Sequence, residues 1–135
     1  MCNIDQIMDM LDWHNPSEIQ EKGRALAREV RCINVFIQPG HPGHIKNVWD
    51  NCALILAERS DEELRPYIPR LLQWLIDINW PGAYCIEDRL VAFNDDKWIN
   101  FFLEDYIHVA KVLDEQMWLT SLLKLQELRK NKKNN

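Results

Sequence analysis

Apolar residues recur at three- and four-residue spacing along almost the whole chain, the periodicity of amphipathic helices. Ile4, Met8 and Leu11 mark a short first helix that ends near Trp13. Asn15-Pro16-Ser17-Glu18 predicts a new start, with Asn as N-cap, Pro at N1 and Glu at N3, and Ile19, Leu26 and Val30 carry one face to about Arg31. Gly23 lies on that face, where the missing side chain lets another helix come close. Residues 33–43 break the pattern, because two prolines and two glycines crowd their last five positions. Val35-Phe36-Ile37 is too short to count as a strand and is expected to plug the core as an extended or 3₁₀ segment. A helix over about 44–59 follows, with Ile45, Val48, Trp49, Cys52, Ile55 and Leu56 on one face.

Ser60-Asp61-Glu62-Glu63 has the form of a capping box. Beyond it, Leu64, Tyr67, Ile68, Leu71, Leu72 and Leu75 continue a helical stripe to about Ile78, and Pro66 and Pro69 predict a kink or a restart. Asn79-Trp80-Pro81-Gly82 opens another helix, with Pro81 near N1 and Ile86, Leu90 and Phe93 on its apolar face. Asn94-Asp95-Asp96 caps a helix over about 97–112, which is apolar nearly all round and therefore expected at the centre of the fold. A last helix runs from about Asp114 to Lys130.

The tryptophans add an order to this list. Tyr67 precedes Trp80 by thirteen residues and Leu90 lies ten further on; Tyr106 precedes Trp118 by twelve and Leu128 lies ten further on. Phe36 precedes Trp49 by thirteen, across the Gly/Pro loop. The 38 residues from Trp80 to Trp118 are close to the ~40-residue period of paired-helix repeats. Such a pair cannot bury its apolar face alone and needs the next pair stacked on it. The expected fold is all-α: a HEAT-like, α-solenoid-like stack of antiparallel helix pairs, about six to seven helices, forming one domain over 1–130 with a basic polar tail over 131–135. Trp80 and Trp118 mark successive units, Trp49 an earlier one, and Trp13 and Trp98 fall outside the register as expected core residues.

Composition narrows the function. The chain has 135 residues, six tryptophans and only four glycines, against a usual glycine share of ~7%. With so few glycines, scattered, a phosphate-cradling loop is all but excluded, and no nucleotide-binding or metalloprotease motif is present. The net charge is −5, and residues 124–135 hold five basic side chains against Glu127, leaving −9 on residues 1–123. An acidic body repels phosphate, which argues against nucleic acid as partner. The basic end suits the carboxyl terminus of a last helix, with Asn131 to Asn135 fraying into solvent. No apolar run approaches a membrane span. The first residues have no basic, apolar leader pattern, and Cys2, Cys32, Cys52 and Cys85 form no C-x-x-C pair, so a reducing cytoplasmic setting is expected.

Leu71-Leu72-Gln73-Trp74-Leu75-Ile76-Asp77-Ile78-Asn79-Trp80-Pro81-Gly82 resembles the L-L-x-W-L-x-D-x-N-W-P signature of DUF5071, a family of small bacterial proteins of unknown function. Pro66-Tyr67-Ile68-Pro69 upstream and Asp114-Glu115-Gln116-Met117-Trp118 downstream are similar to that family's pattern too, so the likeness covers roughly residues 60–125. The resemblance implies an all-helical, HEAT-like fold and carries no activity, so no catalytic residues transfer.

Candidate chemistry is sparse. His41 and His44 have a metal-ligand spacing, but nearby sequence supplies no third ligand, so the segment reads as a Pro/Gly turn and no metal or cofactor is expected. Asp105 and His108 stand three apart on one helix, half of a catalytic pair without a nucleophile near in sequence and more simply a surface ion pair. Asp95-Asp96 suits capping, and Glu87-Asp88 a solvated face. The best candidate site is the joint at Asp77, Asn79 and Trp80, with Trp74 behind it. It is either a small polar binding pocket walled by two indoles or an architectural turn whose polar side chains satisfy helix ends. The leading expectation is a non-enzymatic module that binds a protein partner. A sharper form is an immunity-type protein neutralising a basic toxin, and the rival is a small hydrolase or ligand-binding enzyme at that joint. A homodimer through the last helix, at Trp118 and Leu122, is a third possibility.

Overall fold

Asn3 opens the first helix by accepting the Gln6 N–H at 2.9 Å, and α1 (Ile4–Leu11) buries Ile7, Met8 and Leu11. The computed structural model describes residues 3–40 and 45–133, so His41 and His44 lie outside the described residues. α2 (Ser17–Ala27) packs back on α1. Gly23 makes this possible: a Cβ there would stand 2.8 Å from Met10 Cβ. The start of α2 differs from expectation. Pro16 occupies the N-cap, and the Asn15 amide instead donates to the Asp9 and Met10 carbonyls at 2.6 and 3.2 Å. Those carbonyls end α1 without helical partners, and they claim the amide that the sequence assigns to the next helix. α2 stops at Ala27, short of Arg31, and Ile33–Phe36 forms a 3₁₀ turn that buries Ile33 and Phe36, the plug the sequence suggests.

α3 (Trp49–Ala57) begins later than expected, after a 3₁₀ turn at Lys46–Val48, and Ile45 is 54% exposed rather than on the apolar face. Distant partners hold this segment: the Trp13 N–H donates to Asn47 O at 3.0 Å, and the Trp49 indole to Pro39 O at 2.9 Å. The capping box forms as predicted, with Glu63 N–H donating to Ser60 Oγ. The two prolines break the following stripe into α4 (Asp61–Leu64), a 3₁₀ turn (Arg65–Tyr67) and α5 (Ile68–Trp74). α5 ends well before Ile78, and turns fill the gap before α6 (Ala83–Ala92), whose N-cap is Gly82 rather than the residue before Pro81.

α7 (Asp96–Val112) is capped by Asp95, which accepts the Trp98 N–H at 3.1 Å. It is not central. Only Ile99, Leu103, Ile107 and Ala110 are buried, while Phe101 and Val112 are 69% exposed. Glu104, Asp105, His108 and Lys111 keep its other side in water. α8 (Gln116–Lys133) stays helical past Lys130, so part of the expected tail is ordered helix. Its Trp118 and Leu122 are buried inside the chain, with the Trp118 indole donating to Leu72 O at 3.0 Å, and so are not available to a second copy.

Among the described residues the protein is all-helical, without strands, and α4 and α5 form one bent helix among seven. α1 packs on α2, α5 on α6 and α7 on α8; across these pairs α2 touches α3, α3 touches α6 and α6 touches α8. That order is compatible with the expected stack of helix pairs. Two kinds of long-range hydrogen bond join the layers. Indole N–H groups reach carbonyls of other segments, as Trp118 does to Leu72 O at 3.0 Å and Trp98 to Arg65 O at 2.7 Å. Arginines do the same at helix carboxyl ends. Arg59 donates to Ala27 O and Val30 O beside the end of α2, at 2.8 and 2.9 Å. Arg89 donates to Arg59 O, past the end of α3, at 2.9 Å. Arg129, buried in α8, donates to Leu90 O and Phe93 O at the end of α6, both at 2.7 Å. Each arginine thus caps carbonyls at the carboxyl end of the preceding layer; Ala27 O and Leu90 O also accept the Val30 and Phe93 N–H groups, at 3.0 and 3.3 Å.

Candidate functional site

The joint between α5 and α6 is built from its own sequence. Asp77 Oδ1 accepts the Asn79 N–H at 2.9 Å, an Asx turn. The Trp80 N–H then donates to Asp77 O at 3.0 Å, and the Ala83 N–H to Trp80 O at 3.1 Å, leading into α6. Gly82 sits at φ +84°, in the left-handed region, with no room for a Cβ between Ala53 and the Trp49 carbonyl. The Trp49 ring meets Trp74 edge-on at 6.0 Å and Trp80 edge-on at 5.9 Å, so three indoles lock the joint against α3.

The four residues singled out in the sequence therefore divide. Trp74 is fully buried and has no surface for a ligand. Asp77 is half-buried and shapes the turn. Only Asn79 and Trp80 reach solvent space together, on a shallow depression shared with Asp50, Tyr84 and Cys85. Asp105 and His108 are both exposed on α7, and among the described residues no hydrogen bond or ion pair joins them. No three His, Cys, Asp or Glu side chains among the described residues cluster closely enough to hold a metal ion. No described helix is long and apolar enough to cross a membrane.

Around the depression, α3 and α6 present a surface that no single stretch of sequence reveals. Asp50 and Leu54 are exposed one turn apart on α3, and Tyr84 and Asp88 one turn apart on α6. Tyr84 is 56% exposed, with the Lys124 ammonium 5.3 Å from its ring centre. Burial, and then the nearby Asp88 and Asp50 carboxylates, push the Cys85 thiol above its ordinary pKa. Glu87 is not the solvated residue its sequence suggests. It is buried between α6 and α8, with Oε1 3.2 Å from Lys124 Nζ. Asp96 likewise does more than flank a cap, since it pairs with Arg129. The signal for Tyr84 and Asp88 lay in their position, off the Ile86–Leu90–Phe93 stripe; what it could not supply was Leu54 and Asp50 alongside.

A family model described as a domain of unknown function, DUF5071, matches residues 46–135, more than half of the chain and all of it from the Lys46–Val48 turn through α8. No curated protein and no solved structure matches the chain.

Proposed function

The chain belongs to the DUF5071 family, and on that footing we propose that it is a non-enzymatic protein-interaction module whose α3–α6 face recognises a basic partner protein. One observation carries this reading: Tyr84 and Leu54 stand exposed, and Trp80 half-buried, on the α3 and α6 surface that carries the carboxylates of Asp50 and Asp88. Exposed aromatic anchors supply much of the energy of protein interfaces, and flanking acids steer a cationic partner. The net −9 on residues 1–123 acts in the same direction. An immunity-type protein that neutralises a basic toxin is the specific form of this proposal. The hydrolase reading is weaker, because Asp77 already serves the turn and Trp74 is fully enclosed. We place the protein in the reducing cytoplasm, where the unpaired thiols of Cys32, Cys52 and Cys85 are stable.

The test is affinity capture from the native host, followed by calorimetry on the purified captured protein with wild type, Tyr84→Ala and Asp50→Lys/Asp88→Lys. The captured protein is expected to be basic. Loss of the Tyr84 anchor should weaken binding about 30-fold, taking ~2 kcal/mol for such a residue. The charge reversal should also weaken the salt dependence of the association. A partner that binds the folded variants as tightly as wild type would overturn the proposal.

A further inference from the structure

We infer that the depression beside Tyr84 receives an arginine side chain of the partner protein, its guanidinium set against the Asp50 carboxylate and the Trp80 and Tyr84 rings. This rests on the reading of the α3–α6 face as a docking surface and names the group that docks there. The depression measures about 320 Å³, at the small end of ligand sites and enough for one long side chain. Its polar lining is one-sided. Asp50 and Asn79 bring acceptor oxygens to it, and no lysine or arginine lines it. Among the described residues neither side chain forms a hydrogen bond or an ion pair. Asp61, Asp95 and Asp96, by contrast, each hold an arginine. The carboxylate at the depression is therefore free to take a cation from outside.

Tyr84 already takes a cation from within the chain. The Lys124 ammonium stands 5.3 Å from its ring centre, and the buried Glu87 holds that ammonium at 3.2 Å. At such a distance the ring quadrupole attracts positive charge. Lys124 does not line the depression, so the part of Tyr84 that does is open to a second cation. Glu87 neutralises Lys124, so that second cation meets little like charge. The negative field at the floor comes from both helices: after burial, the Asp88 and Asp50 carboxylates raise the Cys85 thiol pKa. Flat walls select between the two basic side chains. A guanidinium is planar, stacks on aromatic faces and pairs with a carboxylate through parallel N–H groups, whereas an ammonium is a compact, strongly hydrated point charge. Two aromatic rings and one unpaired carboxylate match the guanidinium.

The test is titration of ¹⁵N-labelled full-length protein with the blocked tripeptide acetyl-Gly-Arg-Gly-amide at fixed ionic strength, read by two-dimensional NMR. The Trp80 indole N–H and the backbone amides of Asn79, Trp80 and residues 82–85 are expected to shift together at millimolar peptide. The matching lysine tripeptide should bind more weakly, and the citrulline tripeptide, which keeps the shape and loses the charge, should leave these signals in place. Asp50→Asn and Tyr84→Leu, both at exposed positions, should each weaken arginine binding about threefold. Tyr84→Phe, which keeps the ring, should bind as wild type does. Equal shifts with the citrulline tripeptide, equal affinity for arginine and lysine, or a Trp80 indole that stays in place at tens of millimolar arginine peptide would overturn the inference. Tighter binding of free arginine than of the blocked peptide would also overturn it, because the source would then be a small molecule. None of these outcomes touches the docking face itself, which capture and calorimetry judge separately. A captured partner indifferent to Tyr84 and the two carboxylates would overturn that reading, while the peptide titration still decides the arginine site.

Discussion

Replacing Gly82 with alanine tests whether the α5–α6 joint is as tightly locked against α3 as its geometry indicates. Two costs combine. Gly82 has φ +84°, and the left-handed region costs an L-residue about 1–2 kcal/mol. The new Cβ would also lie 2.7 Å from Ala53 Cβ, 2.8 Å from the Trp49 carbonyl oxygen and 3.1 Å from Trp74 Cζ2. None of these can swing away: one is a methyl on α3, one is backbone, and one belongs to a fully buried indole. Overpacking of this kind costs about 1–3 kcal/mol. Less the ~0.4–1 kcal/mol that alanine gains by restricting the unfolded chain, the net loss is about 2–4 kcal/mol. With a urea m-value of roughly 2 kcal/mol/M, the midpoint should fall by about 1–2 M, read by fluorescence of the surrounding indoles. Two other glycines serve as controls. Gly40 has nothing within 4 Å of its would-be Cβ, and Gly40→Ala should stay within about 0.5 kcal/mol of wild type. Gly23→Ala meets Met10 Cβ at 2.8 Å, but gains about 1 kcal/mol of helix propensity, so its net loss should be about 0–2 kcal/mol. A Gly82→Ala loss under 1 kcal/mol, or one smaller than that of Gly23→Ala, would refute the reasoning.

Arg129→Met should cost about 3 kcal/mol in urea denaturation, because it strands the Phe93 carbonyl, takes one of two donors from Leu90 O and breaks the pair with Asp96, and Arg129→Lys should recover less than half of that, having one ammonium where several N–H groups now diverge. Burial alone would raise the Asp61 pKa, but the Arg89 guanidinium and the Asn94 N–H more than offset it and leave the carboxyl below its ordinary value. Its stabilisation is therefore present above the unfolded pKa and lost as pH falls through the folded one, so urea midpoints should drop below about pH 4, and Asp61→Asn should flatten that drop. Of the three cysteines among the described residues, native thiol labelling followed by peptide mass spectrometry should find exposed Cys32 reacting first and Cys85 more slowly, its pKa raised by burial and then by Asp88 and Asp50. Cys52, whose burial pushes its thiol up strongly, should react only on unfolding.

Local chemistry made the caps and breaks legible. Ser60 with Glu63, Asp95 ahead of Trp98, and the Pro66–Pro69 interruption all involve partners within a turn or so of one another. The sequence misled where a distant group outbid a local one. The 45–48 segment reads as helix, yet Asn47 O is taken by the Trp13 N–H and Trp49 is anchored to Pro39. Asn15 reads as a cap for α2 but serves the carbonyls of α1. α7 reads as central because aromatic residues are counted apolar wherever they point, and Phe101 points outward. At the candidate site, the architectural alternative for Asp77 could be stated from spacing alone, since an Asx turn spans two residues. The Leu54–Tyr84 surface could not, because it requires knowing that α3 lies beside α6.

The interlayer arginines also fix an order in time. The carbonyls at the end of α2 wait for a side chain at least 29 residues further along the chain, and those at the end of α6 wait for one as much as 39 residues further. On the ribosome, each layer therefore emerges with an open carboxyl end that only later synthesis can close. Until Arg129 has emerged, the Phe93 carbonyl is left to water, and a pause in translation between these points would hold the nascent chain in that unfinished state.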